Sequence, residues 1–214
     1  GATTLPAREW LKNADVLFAV GSSMTKTGYG QRIPPGKTII HNVGSLEDIN
    51  KDFGVDIALP GDTKATLQSM IEEVKRQIGE TGRKGTTQVT QEIARIKKEW
   101  TETWLPILTD DSEPINPYRI IWELNQTLDL ENSIVTHDAG SPRDMMVPFF
   151  TATSPHSYIG WGKSTHLGYG IPLMIGAKMA MPDRFCLNFM GDGAFGMSGL
   201  DIETAVRSGI AITT

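Results

Sequence analysis

FCLNFMGDGAFGMSG, residues 185–199, decides how the chain is read. Phe185–Met190 is a short apolar run closed by glycine, the pattern of a strand buried on both faces. Gly191-Asp192-Gly193 sits at its C-terminal end, and a helix is predicted over about residues 199–208. In open parallel sheets, ligands bind outside the carboxyl ends of the strands. Gly191 and Gly193 let the backbone turn sharply and approach a ligand closely. Exposed N–H groups in such a turn can hold a phosphate. Asp192, between them, suits a hard cation, most naturally Mg²⁺. A plain tight turn is the alternative for the tripeptide taken alone.

Working outward, Ser133–His137 (SIVTH) reads as a neighbouring strand, and DAGSPRD follows as a loop. Its small residues Ala139, Gly140 and Ser141 make a second phosphate-compatible turn, so a shared site is expected. A third piece, GWGKSTHLGYGIP over residues 160–172, reads as a shaped loop entering a small-residue helix over 168–181. Helix packing is the alternative for its glycines. Asn116-Pro117 is a cap followed by an N1 proline and opens a helix to about residue 128. Residues 210–213 begin a further strand.

The first part of the chain repeats the pattern. Strands are predicted over 15–20 (DVLFAV), 38–43 (TIIHNV) and 55–59 (VDIAL). Asp62 or Thr63 caps a helix over about 64–78, with Leu67, Met70, Ile71 and Val74 on one face. Residues 79–87 have linker composition. Val89, Ile93, Ile96, Trp100 and Trp104 then recur at helical spacing and predict a core-facing stripe, ended by Pro106 and DDSEP. Strands alternating with helices give the fold class α/β. The expected arrangement is two Rossmann-like, doubly wound parallel-sheet units joined by a linker helix, the second one truncated.

The 214 residues are 39% hydrophobic and 21% charged, enough to build a core. Lys and Arg number 20 against 25 Asp and Glu, a net charge of −5. With no basic surplus, nucleic acid is not an expected partner. No apolar run reaches the ~20 residues of a membrane helix, and the N-terminus lacks a signal-peptide pattern. The single cysteine, Cys186, excludes an intramolecular disulfide and is expected to be buried and inert. A reducing, cytoplasmic setting follows as the simplest expectation. The chain lacks an initiator Met and stops at Thr214 inside an apolar run, so a piece of a longer protein is expected.

The three glycine-bearing pieces, in this order, resemble thiamine diphosphate (ThDP) enzymes of the acetolactate synthase type. INPYRIIWEL resembles the start of that family's diphosphate-binding domain. HDAGSPRDMM resembles its diphosphate-touching loop, GWGKSTHLGYGIPLMIGAK the segment under the aminopyrimidine, and GDGAFGMSGLDIETAVRSGIAITT the opening of the ThDP motif. ADVLFAVGSSMTKTGYG and the segment from TIIHNV to SMI look like the central domain. The resemblance therefore implies part of a central domain over 1–80, a linker with its helix over 81–112, and an incomplete ThDP-binding domain over 113–214.

It also implies roles. Asp192 would ligate Mg²⁺, Gly191, Gly193 and Ala194 would meet the diphosphate, and Gly140 and Ser141 would bind it from the other loop. Leu167 would prop the cofactor in its bent form, with its N–H and the Thr165 carbonyl on the aminopyrimidine. His166 is a candidate acid or base, a hydrogen-bonded structural histidine being the alternative. The implied activity is a ThDP- and Mg²⁺-dependent 2-oxoacid carboligase or decarboxylase working as a homodimer or homotetramer. The family's closing Asn and its catalytic Glu, which comes from a neighbouring subunit, are not in the chain, so the chain alone is expected to be inactive.

Departures keep other readings open. Ser141-Pro142 stands where acetolactate synthases carry Gln-His. GSSMTKTG lacks the Arg of flavin-binding loops, and HNVGS lacks an acidic residue, which argues against FAD. A 2-hydroxyacyl-CoA lyase or oxalyl-CoA decarboxylase type is one alternative. A non-catalytic nucleotide-binding module is another.

Overall fold

The structure is a computed structural model that describes residues 4–26, 33–82, 85–160 and 166–214. The chain divides into two compact units, Gly1–Thr103 and Trp104–Thr214. The elements of the first are α1 (Leu5–Asn13), β1 (Val16–Val20), β2 (Thr38–Val43), β3 (Ile57–Pro60), α2 (Thr63–Ile78) and most of α3 (Thr87–Leu108). Its three strands pair in the order β1-β2-β3, all parallel, with Val16 opposite Thr38 and Ile40 opposite Ile57. The Asp62 side chain caps α2 by accepting from the Ala65 N–H at 2.9 Å.

The apolar stripes of this unit are only partly covered. Leu67 and Met70 are half-buried, whereas Ile71 and Val74 are exposed. Along α3, Val89 and Ile93 are exposed and the expected core-facing stripe is covered only toward its far end. Pro106 does not end α3, which continues to Leu108.

The second unit contains the end of α3, then α4 (Pro117–Thr127), β4 (Ser133–His137), α5 (Ser141–Phe149), β5 (Tyr158–Ile159), α6 (Gly170–Ala180), β6 (Phe185–Phe189), α7 (Asp192–Ser198) and α8 (Asp201–Arg207). The order β5-β4-β6 is again all parallel, with Ser133 opposite Phe185 and His137 opposite Phe189. Thr213 bridges to Leu187 in parallel as well. The period of two sorts the strand residues onto two faces. Val135 and Leu187 pack with Ile121 of α4 and Met146 of α5. Ile134 and Cys186 pack with Met174 of α6 on the other face. Each such buried apolar side chain contributes about 1.5–3 kcal/mol. Trp104, Tyr118 and Phe149 close one end of the first core, with ring centroids 5.0–5.6 Å apart.

The α/β expectation with two parallel-sheet units thus holds. Two local expectations change. SPRD is not a loop but the first turn of α5, because Pro142 stands in the first turn, where its missing N–H costs nothing. GDGAFGMSG is mostly helix, since α7 begins at Asp192 and the turn is confined to Met190 and Gly191.

Candidate functional site

β4 and β6 lie side by side, so both of their carboxyl ends open at the same edge of the sheet. The Asp138 N–H donates to the Phe189 carbonyl at 2.8 Å, extending the ladder by one bond. The two following turns then meet: a Cβ added to Gly191 would lie 4.0 Å from Pro142 Cγ. Gly140 has φ +82°, a left-handed conformation that only glycine adopts cheaply, and it serves as N-cap of α5. Gly140 and Ser141 are exposed there, beside exposed Asp192 and Gly193.

Asp138 draws the third segment in. Its side chain is fully buried. Oδ1 accepts from the Ala139 N–H at 2.7 Å and from the Gly168 N–H at 3.0 Å. Oδ2 accepts from the Gly170 N–H at 3.0 Å, at the start of α6. Gly168, at φ +83°, presses on α7: an added Cβ would lie 3.1 Å from Met197 Cβ and 3.4 Å from the Ala194 carbonyl. Gly170 lets α6 sit against Asn188 of β6, where an added Cβ would come within 2.1 Å of Oδ1. Tyr169, between them, donates its hydroxyl to the His137 carbonyl, and Thr136 donates to the Ile159 carbonyl at 2.5 Å.

Gly140, Ser141, Leu167, Gly191, Asp192, Gly193 and Ala194 are therefore brought to one edge. Leu167 is 40% exposed on its turn, and Ala194 is buried. His166 is exposed beside Leu167. Thr165 and Trp161 lie outside the described residues. Arg143 pairs with Asp144. Sequence reasoning missed Asp138, Tyr169 and Asn188. An Asp directly between an apolar strand and a glycine turn, and an Asn inside an apolar strand, were the available signals.

What this edge offers a ligand is one exposed carboxylate beside backbone N–H groups at two helix starts. Among the described residues no cluster of three or more His, Cys, Asp or Glu could hold a metal. Asp192 makes no hydrogen bond or ion pair among those residues, and one carboxylate beside glycine N–H groups fits a Mg²⁺ whose other ligands come from a phosphate. The Ser141 N–H and hydroxyl are likewise open at the start of α5. The residues present fit a diphosphate with its cation.

His137 lies 4% exposed behind this edge. Burial holds its pKa below the usual histidine value, opposed by the hydrogen bond to the Asp138 carbonyl, while Arg143 lowers it further. A depressed folded pKa means that stability is present above the unfolded value, near 6.5, and is lost as pH falls through the folded one. The midpoint of urea unfolding is expected to fall between about pH 7 and about pH 5, and His137→Gln should flatten that slope. Burial likewise pushes the Cys186 thiol up, in keeping with an inert core cysteine.

Residues 138–214, which carry the edge just described, match the family model "Thiamine pyrophosphate enzyme, C-terminal TPP binding domain". The relatives narrow the class. A probable acetolactate synthase large subunit of Methanococcus aeolicus is 28% identical, over 98% of this chain and 36% of that protein. One from Methanocaldococcus jannaschii is 29% identical, over 94% of this chain and 34% of its own length. A sulfoacetaldehyde acetyltransferase of Alcaligenes xylosoxydans xylosoxydans is 27% identical, over 97% and 38%. Over most of its length the chain is similar to large subunits of acetolactate synthase, and its last third matches a TPP-binding domain. It spans about a third of the length of the curated relatives it matches. Among the described residues no helix is long and apolar enough to cross a membrane.

Proposed function

We propose that the chain is the part of a ThDP- and Mg²⁺-dependent 2-oxoacid carboligase or decarboxylase that seats the cofactor's diphosphate. The observation that supports this most is that Asp138 ties the loop of Gly140 and Ser141 to the segment of Gly168 and Gly170, beside the Gly191 turn, within a stretch that matches a TPP-binding domain. Asp192 holds Mg²⁺. Gly191 with the first turn of α7 at Gly193 and Ala194, and Gly140 with Ser141 at the start of α5, hold the diphosphate. Leu167 supports the bent cofactor, and the Thr165 carbonyl takes its aminopyrimidine. When bound, ThDP supplies a carbon nucleophile and an electron sink for breaking bonds beside a carbonyl. The chain's own residues orient it and exclude water from its buried side. His166 is a candidate acid or base at the rim.

In this reading residues 1–80 belong to a central domain, 81–112 are a linker with its helix, and 113–214 belong to the diphosphate-binding domain. The whole protein works as a homodimer or homotetramer on a small 2-oxoacid in the cytoplasm, where the lone buried thiol stays reduced. The test is calorimetry of the full-length protein with ThDP, with and without Mg²⁺, followed by turnover of pyruvate, other 2-oxoacids and CoA thioesters. Saturable binding that needs Mg²⁺ and consumption of a 2-oxoacid are expected. Binding of ADP or FAD with no response to ThDP would replace the enzyme reading with a nucleotide-binding module. Turnover confined to CoA thioesters would move the substrate class.

A further inference from the structure

Asp138 is the one carboxylate among the buried described residues, and no ion pair joins it to a cation among those residues. Its charge is met instead by three backbone N–H groups, from Ala139, Gly168 and Gly170. A buried charge held this way is favourable only while all three donors stay in place. The donors come from two segments about thirty residues apart. One carries Gly140 and Ser141; the other carries Leu167. Resting on the ThDP reading above, we infer that Asp138 is a positioning residue that fixes the spacing between the diphosphate loop and the support for the pyrimidine end.

The physical argument concerns two anchors on one ligand. A molecule gripped at both ends gains from the second grip only if the separation of the grips is set in advance. Loops that must be brought to that separation during binding lose part of the gain to ordering. The Asp138 clip sets it through short bonds to backbone, with no flexible side chain on the far side. Gly168 relays the same constraint to α7, since it leaves no room for a side chain there: an added Cβ would lie 3.1 Å from Met197 Cβ and 3.3 Å from Ser198 Oγ. The Tyr169 hydroxyl on the His137 carbonyl ties the same two segments on the opposite side. Asp138 is closed to solvent and acts through the backbone groups it holds.

The variant that tests this is Asp138→Asn in the full-length protein. An amide keeps the shape but offers one oxygen, so one of the three N–H groups faces a donor. Affinities for ThDP, inorganic pyrophosphate and thiamine are measured with Mg²⁺, and exchange of the ThDP C2 proton is followed by NMR. ThDP binding should weaken roughly 10- to 100-fold, the loss expected when one buried N–H is left facing a donor. C2 exchange should slow, while pyrophosphate and thiamine, each using one anchor, should change by less than about twofold. Equal losses for all three ligands mean general damage and overturn the inference, as does unchanged ThDP affinity. Wild-type protein that binds no ThDP overturns the cofactor reading itself, whatever the variant does. If the variant does not fold, hydrogen exchange of the wild type decides. The Gly168 and Gly170 amides should be protected before any ligand is added, and exchange at the rate of an open turn would overturn the clip.

Discussion

Gly170→Ala is expected to destabilise the second unit by about 2–4 kcal/mol, although alanine is the better helix former by about 1 kcal/mol. The new methyl would lie 2.1 Å from Asn188 Oδ1, well inside contact distance. Asn188 cannot swing away freely. It is 2% exposed, and its amide donates to Met190 Sδ and to Thr214 Oγ1, both at 2.9 Å. Its Oδ1 has no hydrogen-bond partner among the described residues, so the close approach of Gly170 is what fills that space. Relief therefore comes either from breaking the Asn188 bonds or from lifting α6 off β6. Lifting α6 also strips the Gly170 N–H from Asp138. Each lost buried bond costs about 1–3 kcal/mol. In the full-length protein the melting transition of this unit should drop by roughly 10 °C or more. The Gly170→Ala, Asn188→Ala double variant should be less destabilised than the sum of the singles, because removing the amide removes the collision. Strict additivity would show that the contact is not the cause.

The architecture was readable because its signals are local. Strand, glycine turn and small-residue helix follow one another within a few residues. The strands Thr38–Val43 and Ser133–His137 have the same limits in the sequence reading and in the structure. The same locality explains the misses. DAGSPRD reads as loop in the sequence, yet its last four residues open a helix, with Pro142 in the first turn, where a helix tolerates it. The site is legible as three separate pieces and no further. What joins them is Asp138, whose partners lie 30 and 32 residues away, and no periodicity reports a carboxylate that bonds to backbone at that range. The stripe on α3 shows the opposite failure. Its spacing gives the helix correctly, but spacing does not say which apolar residues meet a neighbour, and Val89 and Ile93 stay exposed.

Asp192→Ala in the full-length protein is expected to abolish Mg²⁺-dependent ThDP binding, while leaving the melting temperature within about 2 °C of the wild type. The two halves of that expectation rest on the same facts. Asp192 is exposed at the start of α7 and holds no partner among the described residues, so removing it leaves no buried group unsatisfied. A first-turn acid supports a helix by about 0.3–1 kcal/mol at most. Its value must then lie in a ligand. With no three-residue cage of His, Cys, Asp or Glu among the described residues, a Mg²⁺ here depends on this carboxylate, backbone oxygens and the phosphate itself. Without the carboxylate the cation loses its side-chain ligand in this turn, and the N–H groups alone meet the charge of a diphosphate only in part. Calorimetry should show no Mg²⁺-dependent heat with the variant up to millimolar ThDP, against saturable binding in the wild type. Asp192→Glu should restore part of it, since the ligand type is kept and only the reach changes. Unchanged affinity in Asp192→Ala would remove the metal from this turn, and a large loss of stability would mean that Asp192 serves the fold rather than the cofactor.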